Sequence, residues 1–381
     1  FNEANVAGDI LVRLARLDYP RRLLDVIFVL EAGDATTREA LEDCDLPSWA
    51  RAISVPAGRP QTKPRALNYA LPFARGTIIG IYDAEDAPEP DQLRKVAARF
   101  SAARPGLACL QGQLDYYNPR HNWISRCFTL EYATWFRVLL PGVARMGLVV
   151  PLGGTTVFVQ REALLRVGGW DAHNVTEDAE LGIRLNRAGY RTEILPTTTF
   201  EEANSAIVPW IRQRSRWLKG YAMTWATLMR APRSLMRDLG PKRFWGLQAQ
   251  IAGTVLGFVT APLLWTLALI PLGVPHPMAE FLTASVTLAM AGGFAAVLIT
   301  TFAMTWAACG APHLKAHRRH IPLLVFYYPL ASVAAFCALI DLAIRPFYWA
   351  KTAHGCYGDP SSVADRASAS ARKRTSNARL R

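Results

Sequence analysis

The sequence predicts an α/β chain: a doubly wound, mostly parallel sheet, followed by amphipathic helices at a membrane face and then by membrane-spanning helices. Three observations predict it. Over the first 200 residues short β-rich runs alternate with helical patterns. Residues 207–238 mix Trp, Tyr and Met with many arginines. From Gly246 to Ala308 the only formally charged residue is Glu280. Alternating strand and helix is the signature of a parallel sheet covered on both faces, and an apolar run of about 20 residues is what crossing a bilayer requires.

The elements follow in order. The runs DVIFVL (25–30), AISVP (52–56), TIIGIYD (77–83) and LACLQG (107–112) read as strands that stop at Gly, Pro or acidic residues. Between them, ANVAGDILVRLARL (4–17), KPRALNYALPFA (63–74) and DQLRKVAARF (91–100) read as helices. No element is predicted from 113 to 140. A Gly-rich strand, LGGTTVFVQ (152–160), a short helix, REALLRV (161–167), and a helix starting near Thr176 complete this part. Residues 207–238 have the composition of a helix lying in a membrane face. The apolar run beyond them divides at PLGVPHPMAE (271–280), and a third apolar stretch runs from Ile321 to Ile344, interrupted only by Asp341. The tail from about Ser361 reads as solvated and disordered.

The formal charge of +13 over 381 residues is localised. Residues 201–245 hold nine Lys/Arg against three Asp/Glu, the last 21 residues six against one, and 311–320 adds three cations. Together with the apolar runs, this favours membrane lipid over nucleic acid as the partner. The basic 311–320 loop and the basic tail both belong on the cytoplasmic side, whereas three full spans would put the tail outside. The stretch 321–344, with Pro322, Pro329 and Asp341, is therefore expected to be re-entrant or interfacial. The six cysteines form no CxxC pair, as expected of reduced thiols in a cytosolic catalytic part. FNEAN at the start reads as the loop after a strand, predicting that further sequence, with membrane helices of its own, precedes Phe1.

The stretch IIGIYDAEDAPEP (78–90) carries the chemistry: a β run ends on Asp83, Glu85 and Asp86. Carboxylates this crowded repel one another unless a cation joins them, and the carboxyl ends of strands are where α/β sheets bind ligands. TED at 176–178 alone reads as ordinary helix capping. QRSRW at 213–217 is rarer, and Lys63 alone reads as a solvated lysine.

In order, KPRALN, the acidic D-x-D-like tip, the Gly-Thr strand, TED and Q-x-x-R-W resemble family 2 glycosyltransferases, specifically the membrane-embedded branch of cellulose, hyaluronan and chitin synthase-like enzymes. The resemblance covers residues 1 to about 355. It implies a GT-A-type fold, a UDP-sugar donor and a Mg²⁺ or Mn²⁺ ion held by Asp83 and Glu85, with Asp86 the alternative second ligand. Asp83-Ala84-Glu85 departs from the family's Asp-x-Asp, but Glu remains a hard oxygen ligand.

By the same resemblance, Asp178 is the general base, with Glu177 beside it raising its pKa. Arg216 stabilises the diphosphate, Gln213 orients substrate, and Trp217 offers a flat face to the acceptor sugar. Lys63 lies near the nucleotide diphosphate. Glu31 stands where relatives place an Asp against the uracil. RPFYWAKTAHG (345–355) loosely resembles the segment that closes over bound nucleotide in these enzymes.

The expected function is an inverting, processive glycosyltransferase that moves a sugar, glucose favoured, from a UDP-sugar to a growing β-linked polysaccharide exported through the membrane, with accessory export subunits as partners. The second reading is a non-processive enzyme acting on a lipid or short carrier, or a synthase using UDP-N-acetylglucosamine. A third, from another class, is a basic membrane-anchored binding protein. The expected organisation is a catalytic domain at 1–205, interface helices at 206–245, a transmembrane region at 246–345 and a gating-like segment with basic tail at 346–381. The expected location is the cytoplasmic membrane, multi-pass, with the catalytic domain in the cytoplasm.

Overall fold

The computed structural model describes residues 3–345; the gating-like segment beyond Arg345 and the basic tail lie outside the described residues. Helix α1 (Ala4–Ala15) precedes β1 (Val26–Glu31), α2 (Ala35–Glu42), β2 (Ala50–Val55) and α3 (Lys63–Ala70). Then come β3 (Ile78–Ile81), the short β4 (Ala87–Pro88), α4 (Gln92–Ser101) and β5 (Leu107–Tyr116). After β5 the chain forms α5 (Trp123–Thr134), a π-helical turn (Trp135–Leu139) and α6 (Leu140–Arg145). Strand β6 (Val157–Gln160), α7 (Arg161–Arg166), α8 (Glu177–Arg187) and β7 (Arg191–Glu201) complete the α/β part.

The predicted class and layering hold, and the sheet is mixed. Strands β1 and β2 pair in parallel, while five strands form the order β3-β6-β5-β7-β4. Strand β5 runs parallel to β7, whereas β6 is antiparallel to both β3 and β5. The reason is local. The loop before β6 is tied to the carboxyl end of β3, with Thr156 N donating to Ile81 O at 2.8 Å. A strand starting where β3 stops must run back along it. Only Val157–Gln160 of the predicted 152–160 run is strand, and the glycines and threonines before it form the loop.

Helix α5 fills part of the region where no element is predicted. Eight of its twelve residues are buried, Phe128 and Leu130 among them, so its sequence shows no apolar stripe to betray a helix. Asn122 starts it with a capping box to Ser125.

Helix α9 (Ile207–Leu228) is followed by α10 (Pro232–Gln250), α11 (Ala252–Ala268), α12 (Ala284–Ala308) and α13 (Leu324–Ile344), and it packs against α13 and α11. Gly240, at φ 74°, bends α10 just before Pro241. Three stretches, Pro232–Leu272, Ala284–Ala308 and Lys315–Ile344, are long and apolar enough to cross a membrane. Leu256, Val297, Ile299, Phe326 and Ile340 point outward from them, an apolar belt larger than water-facing proteins carry. The stretch expected to be re-entrant or interfacial is helical, as α13, from Leu324 to Ile344. Its charge, Asp341, lies in the last turn and pairs with Arg345 at 3.1 Å, so it does not interrupt the apolar body.

Candidate active site

The acidic tip is built by its own members. Asp86 is fully buried, and its Oδ2 accepts from Asp83 N at 2.8 Å and from the Thr155 hydroxyl. Burial, then the Asp83 and Glu85 charges, push its carboxyl well above the usual range. Asp86 thus braces the turn, and it leaves Asp83 and Glu85 facing the cavity described below. Arg13 holds the other side of the turn by donating to Glu85 O at 2.5 Å.

Lys63 crosses to this tip from the first turn of α3. Its ammonium donates to Asp83 Oδ1 and, at 2.9 Å, to Gly154 O. Burial pulls Lys63 down, but Asp83, Glu177 and Asp86 outweigh it and hold the lysine above its ordinary range. Five residues on, Asn68 clasps the chain before TED: its Nδ2 donates to Trp170 O at 2.6 Å and its Oδ1 accepts from Trp170 N at 2.9 Å. Thus KPRALN contributes one charge to the site and one clamp to the loop.

The Gly-Thr loop is strained. Thr156 sits at φ 56°, a region that β-branched residues avoid. Its N donates to Ile81 O at 2.8 Å, and its O accepts from Gly112 N at 2.9 Å. Gly112 makes this possible, since a Cβ there would stand 2.3 Å from Thr156 Cγ2. Two residues earlier, Gly154 lies against the site: a Cβ there would meet Asp178 Oδ2 at 3.4 Å.

TED opens α8. Thr176 is the N-cap residue but makes no side-chain capping bond. Asn174 does the tying instead: its Oδ1 accepts from Thr176 N at 2.9 Å, and its Nδ2 donates to the Thr224 hydroxyl on α9 at 2.8 Å. Helix α9 nests against this turn through Gly220, whose Cβ would stand 2.5 Å from Thr176 Cγ2. Gly220 lies four residues beyond Arg216, so the same helix face carries Arg216 to the carboxylates. Burial, then Asp178, raises Glu177 to about 7, with Lys63 and Arg216 opposing. Burial also raises Asp178, against the Ala179 N–H it accepts from and the Lys63 and Arg216 charges. Arg216 is pulled down by burial while Glu177 and Asp178 hold it up.

The opposite face of α9 forms a network that the motifs do not announce. Arg214 donates to Glu131 Oε2 on α5 at 2.5 Å. Tyr327 on α13 donates to the same oxygen at 2.6 Å and accepts from Trp210 Nε1 at 2.9 Å. The Arg214 guanidinium lies 4.9 Å over the Trp217 ring and 5.0 Å over Trp210. Trp217 also packs beside Phe128 and Tyr132. Glu131, a lone acid in an apolar helix, was the available signal for this network.

One cavity of about 1010 Å³ gathers the predicted residues: Glu31, Lys63, Asp83, Glu85, Glu177, Asp178, Gln213, Arg216 and Trp217 all line it. Glu31, at the end of β1, pairs with Arg65 at 3.5 Å. Gln213 Oε1 accepts from Asn204 Nδ2 at 2.8 Å. The tip suits a hard divalent ion. Its cavity-facing donors, Asp83 and Glu85, are hard carboxylate oxygens. No three His, Cys, Asp or Glu side chains converge as a ready-made cage among the described residues.

Residues 78–349, most of the chain, match the family model described as Glycosyl transferase family group 2. The chain belongs to this family. Among curated relatives of this glycosyltransferase is the beta-monoglucosyldiacylglycerol synthase of Synechocystis sp., 32% identical over 228 residues, covering 58% of this chain and 46% of the relative. A cellulose synthase catalytic subunit of Pseudomonas fluorescens is 30% identical over 171 residues, 42% of this chain and 22% of the relative. The chain spans about half the length, or less, of these relatives. In architecture it is similar to a mannosyltransferase of Pyrobaculum calidifontis solved with GDP-Man and Mn²⁺, at TM-score 0.57 and 19% identity, covering 90% of this chain and 85% of that one. This likeness bears out the GT-A-type fold expected of the family.

Proposed function

We propose that this glycosyltransferase moves a hexose, glucose favoured, from a UDP-sugar to the hydroxyl of a membrane lipid, with inversion at the anomeric carbon. One observation carries the reading. The cavity that holds the carboxylates continues to Thr254 and Phe258 on α11 and Tyr328 on α13, residues of stretches apolar enough to cross a membrane. An acceptor dissolved in the bilayer would meet the base from that wall. The name of the Synechocystis relative, a synthase of a glucosylated diacylglycerol, supports a lipid acceptor.

Asp178 takes the proton of the acceptor hydroxyl as its oxygen bonds to the anomeric carbon and the bond to the diphosphate oxygen breaks. Burial raises both Asp178 and Glu177, which makes the pair a stronger proton acceptor than ordinary carboxylates. Lys63 and Arg216 face the departing diphosphate and neutralise its growing charge. Asp83 and Glu85 would hold Mg²⁺ or Mn²⁺, which supplies Lewis-acid charge to the same leaving group. Glu31, oriented by Arg65, sits at the nucleoside end, Gln213 orients the sugar, and Trp217 walls the acceptor side. The three apolar stretches support a multi-pass protein of the cytoplasmic membrane, with its catalytic part in the cytoplasm.

Processive polysaccharide synthesis, the first expectation from the motifs, becomes the second reading, supported by Q-x-x-R-W and the cellulose synthase similarity. The experiment is to supply the protein in diacylglycerol-containing nanodiscs with radiolabelled UDP-glucose. Label in an organic-extractable lipid carrying one sugar supports the proposal; label only in an insoluble polymer overturns it.

A further inference from the structure

Away from the cavity, the segment joining α12 to α13 carries Lys315, Arg318 and Arg319 and no Asp or Glu between Cys309 and Leu323. Most of it is the 3₁₀ stretch Lys315–Leu323, which packs on α5. The chain around the start of α5 adds Arg120 and Arg126, held together by Arg126 donating to Arg120 O at 3.3 Å. The buried carboxylate beneath, Asp115 at the end of β5, is already engaged by His313 at 2.8 Å and Arg137 at 3.1 Å. That contact pins the segment to the catalytic sheet and leaves no negative charge for the cations above.

Among the described residues, none of Arg120, Arg126, Lys315, Arg318 and Arg319 has an ion-pair partner. Arg318 Nε is buried without a hydrogen-bond partner. Its guanidinium lies 4.6 Å over Trp306, an exposed indole in the last turn of α12. Five cations gathered without counter-charge raise the energy of the fold unless an anion joins them. The segment joins α12 to α13 and includes the charged start of the third candidate span, Lys315–Ile344, which puts it at headgroup depth, and an indole at the same level is what an interface selects.

We infer that this face is a seat for anionic phospholipid headgroups, distinct from the acceptor cavity, that fixes how the catalytic part sits on the membrane. Arginine and lysine side chains there meet lipid phosphate by charge-assisted hydrogen bonds. Two phosphatidylglycerol or phosphatidylcholine mixtures suffice as probes.

The test is native mass spectrometry of the detergent-purified protein with each lipid added, comparing the wild type with the exposed double variant Lys315→Gln, Arg319→Gln. The wild type should retain phosphatidylglycerol in preference to phosphatidylcholine, and the variant should lose that preference roughly tenfold or more. UDP affinity should be unchanged in the variant, showing that it is folded. Equal retention of the two lipids by the wild type, or undiminished retention of phosphatidylglycerol by the folded variant, overturns the inference. Lipid retention is read without turnover, so its outcome is independent of which acceptor the enzyme uses.

Discussion

Arg214 and Glu131 form a largely buried ion pair at 2.5 Å, and the same guanidinium stacks 4.9 Å over the Trp217 ring. Removing one member of such a pair leaves an uncompensated charge indoors, at about 3–5 kcal/mol. Glu131→Ala should therefore lower thermal stability in detergent sharply. Glu131→Gln, which keeps a hydrogen-bond acceptor, should cost less. At temperatures where both remain folded, KM for the acceptor should rise more than the affinity for UDP falls, because Trp217 loses its support while the nucleotide end of the cavity does not.

Asp178→Asn keeps size and helix-start chemistry but removes the proton acceptor. Transfer should fall by about 10²–10⁴-fold, while UDP binding and thermal stability stay near wild type. Steady-state transfer above a tenth of wild type, with chemistry limiting, would remove Asp178 from its role.

Glu177 makes stability depend on pH. Its folded value near 7 stands above the ordinary 4.5, so the folded state holds its proton more tightly than the unfolded chain. The stabilising contribution is complete below about 4.5 and is lost as pH rises through about 7. Glu177→Gln should flatten the stability profile across that window and raise stability above it, as melting curves from pH 4 to 8 would show. Because Asp178 titrates beside it, the transition belongs to the pair.

At the acidic tip the three carboxylates should separate by phenotype. Asp83→Asn and Glu85→Gln should lose the divalent-ion dependence of UDP affinity, measured by titration with and without chelator. Asp86→Ala should chiefly lower thermal stability, since it removes the oxygen that accepts from Asp83 N and Thr155. UDP affinity unchanged by chelator in the wild type would remove the metal from this site.

Gly220→Ala reverses a familiar sign. Alanine in a helix interior is normally worth up to about 1 kcal/mol over glycine, yet here its Cβ would stand 2.5 Å from Thr176 Cγ2. Overpacking should cost about 1–3 kcal/mol and push Arg216 away from the carboxylates. Transfer rate and melting temperature should fall together.

The strand–helix alternation, the acidic tip and the apolar stretches were legible because each leaves a local mark: a period, a run of charge, an absence of charge. Helix α5 left none, being buried on nearly every side. The direction of β6 was hidden because it follows from a tertiary bond between Thr156 and Ile81 that no local pattern encodes. The motif residues line one cavity, but what holds them there was not readable. Asn68, Asn174 and Gly220 act through partners dozens of residues away, and an isolated Asn or Gly looks the same in any loop. Asp86 could not be told from Glu85 until the turn was seen to fold one carboxylate inward.

The bond between Trp210 and Tyr327 has a consequence for how the molecule is made. Tyr327 comes 117 residues after Trp210 and 196 after Glu131. The helix bearing Gln213, Arg216 and Trp217 therefore lacks its final brace until α13 has left the ribosome and found its place beside α9. A nascent chain carrying every motif residue would still be unfinished as a catalyst. The order of synthesis therefore completes the support of this helix only after the last described apolar stretch has been made.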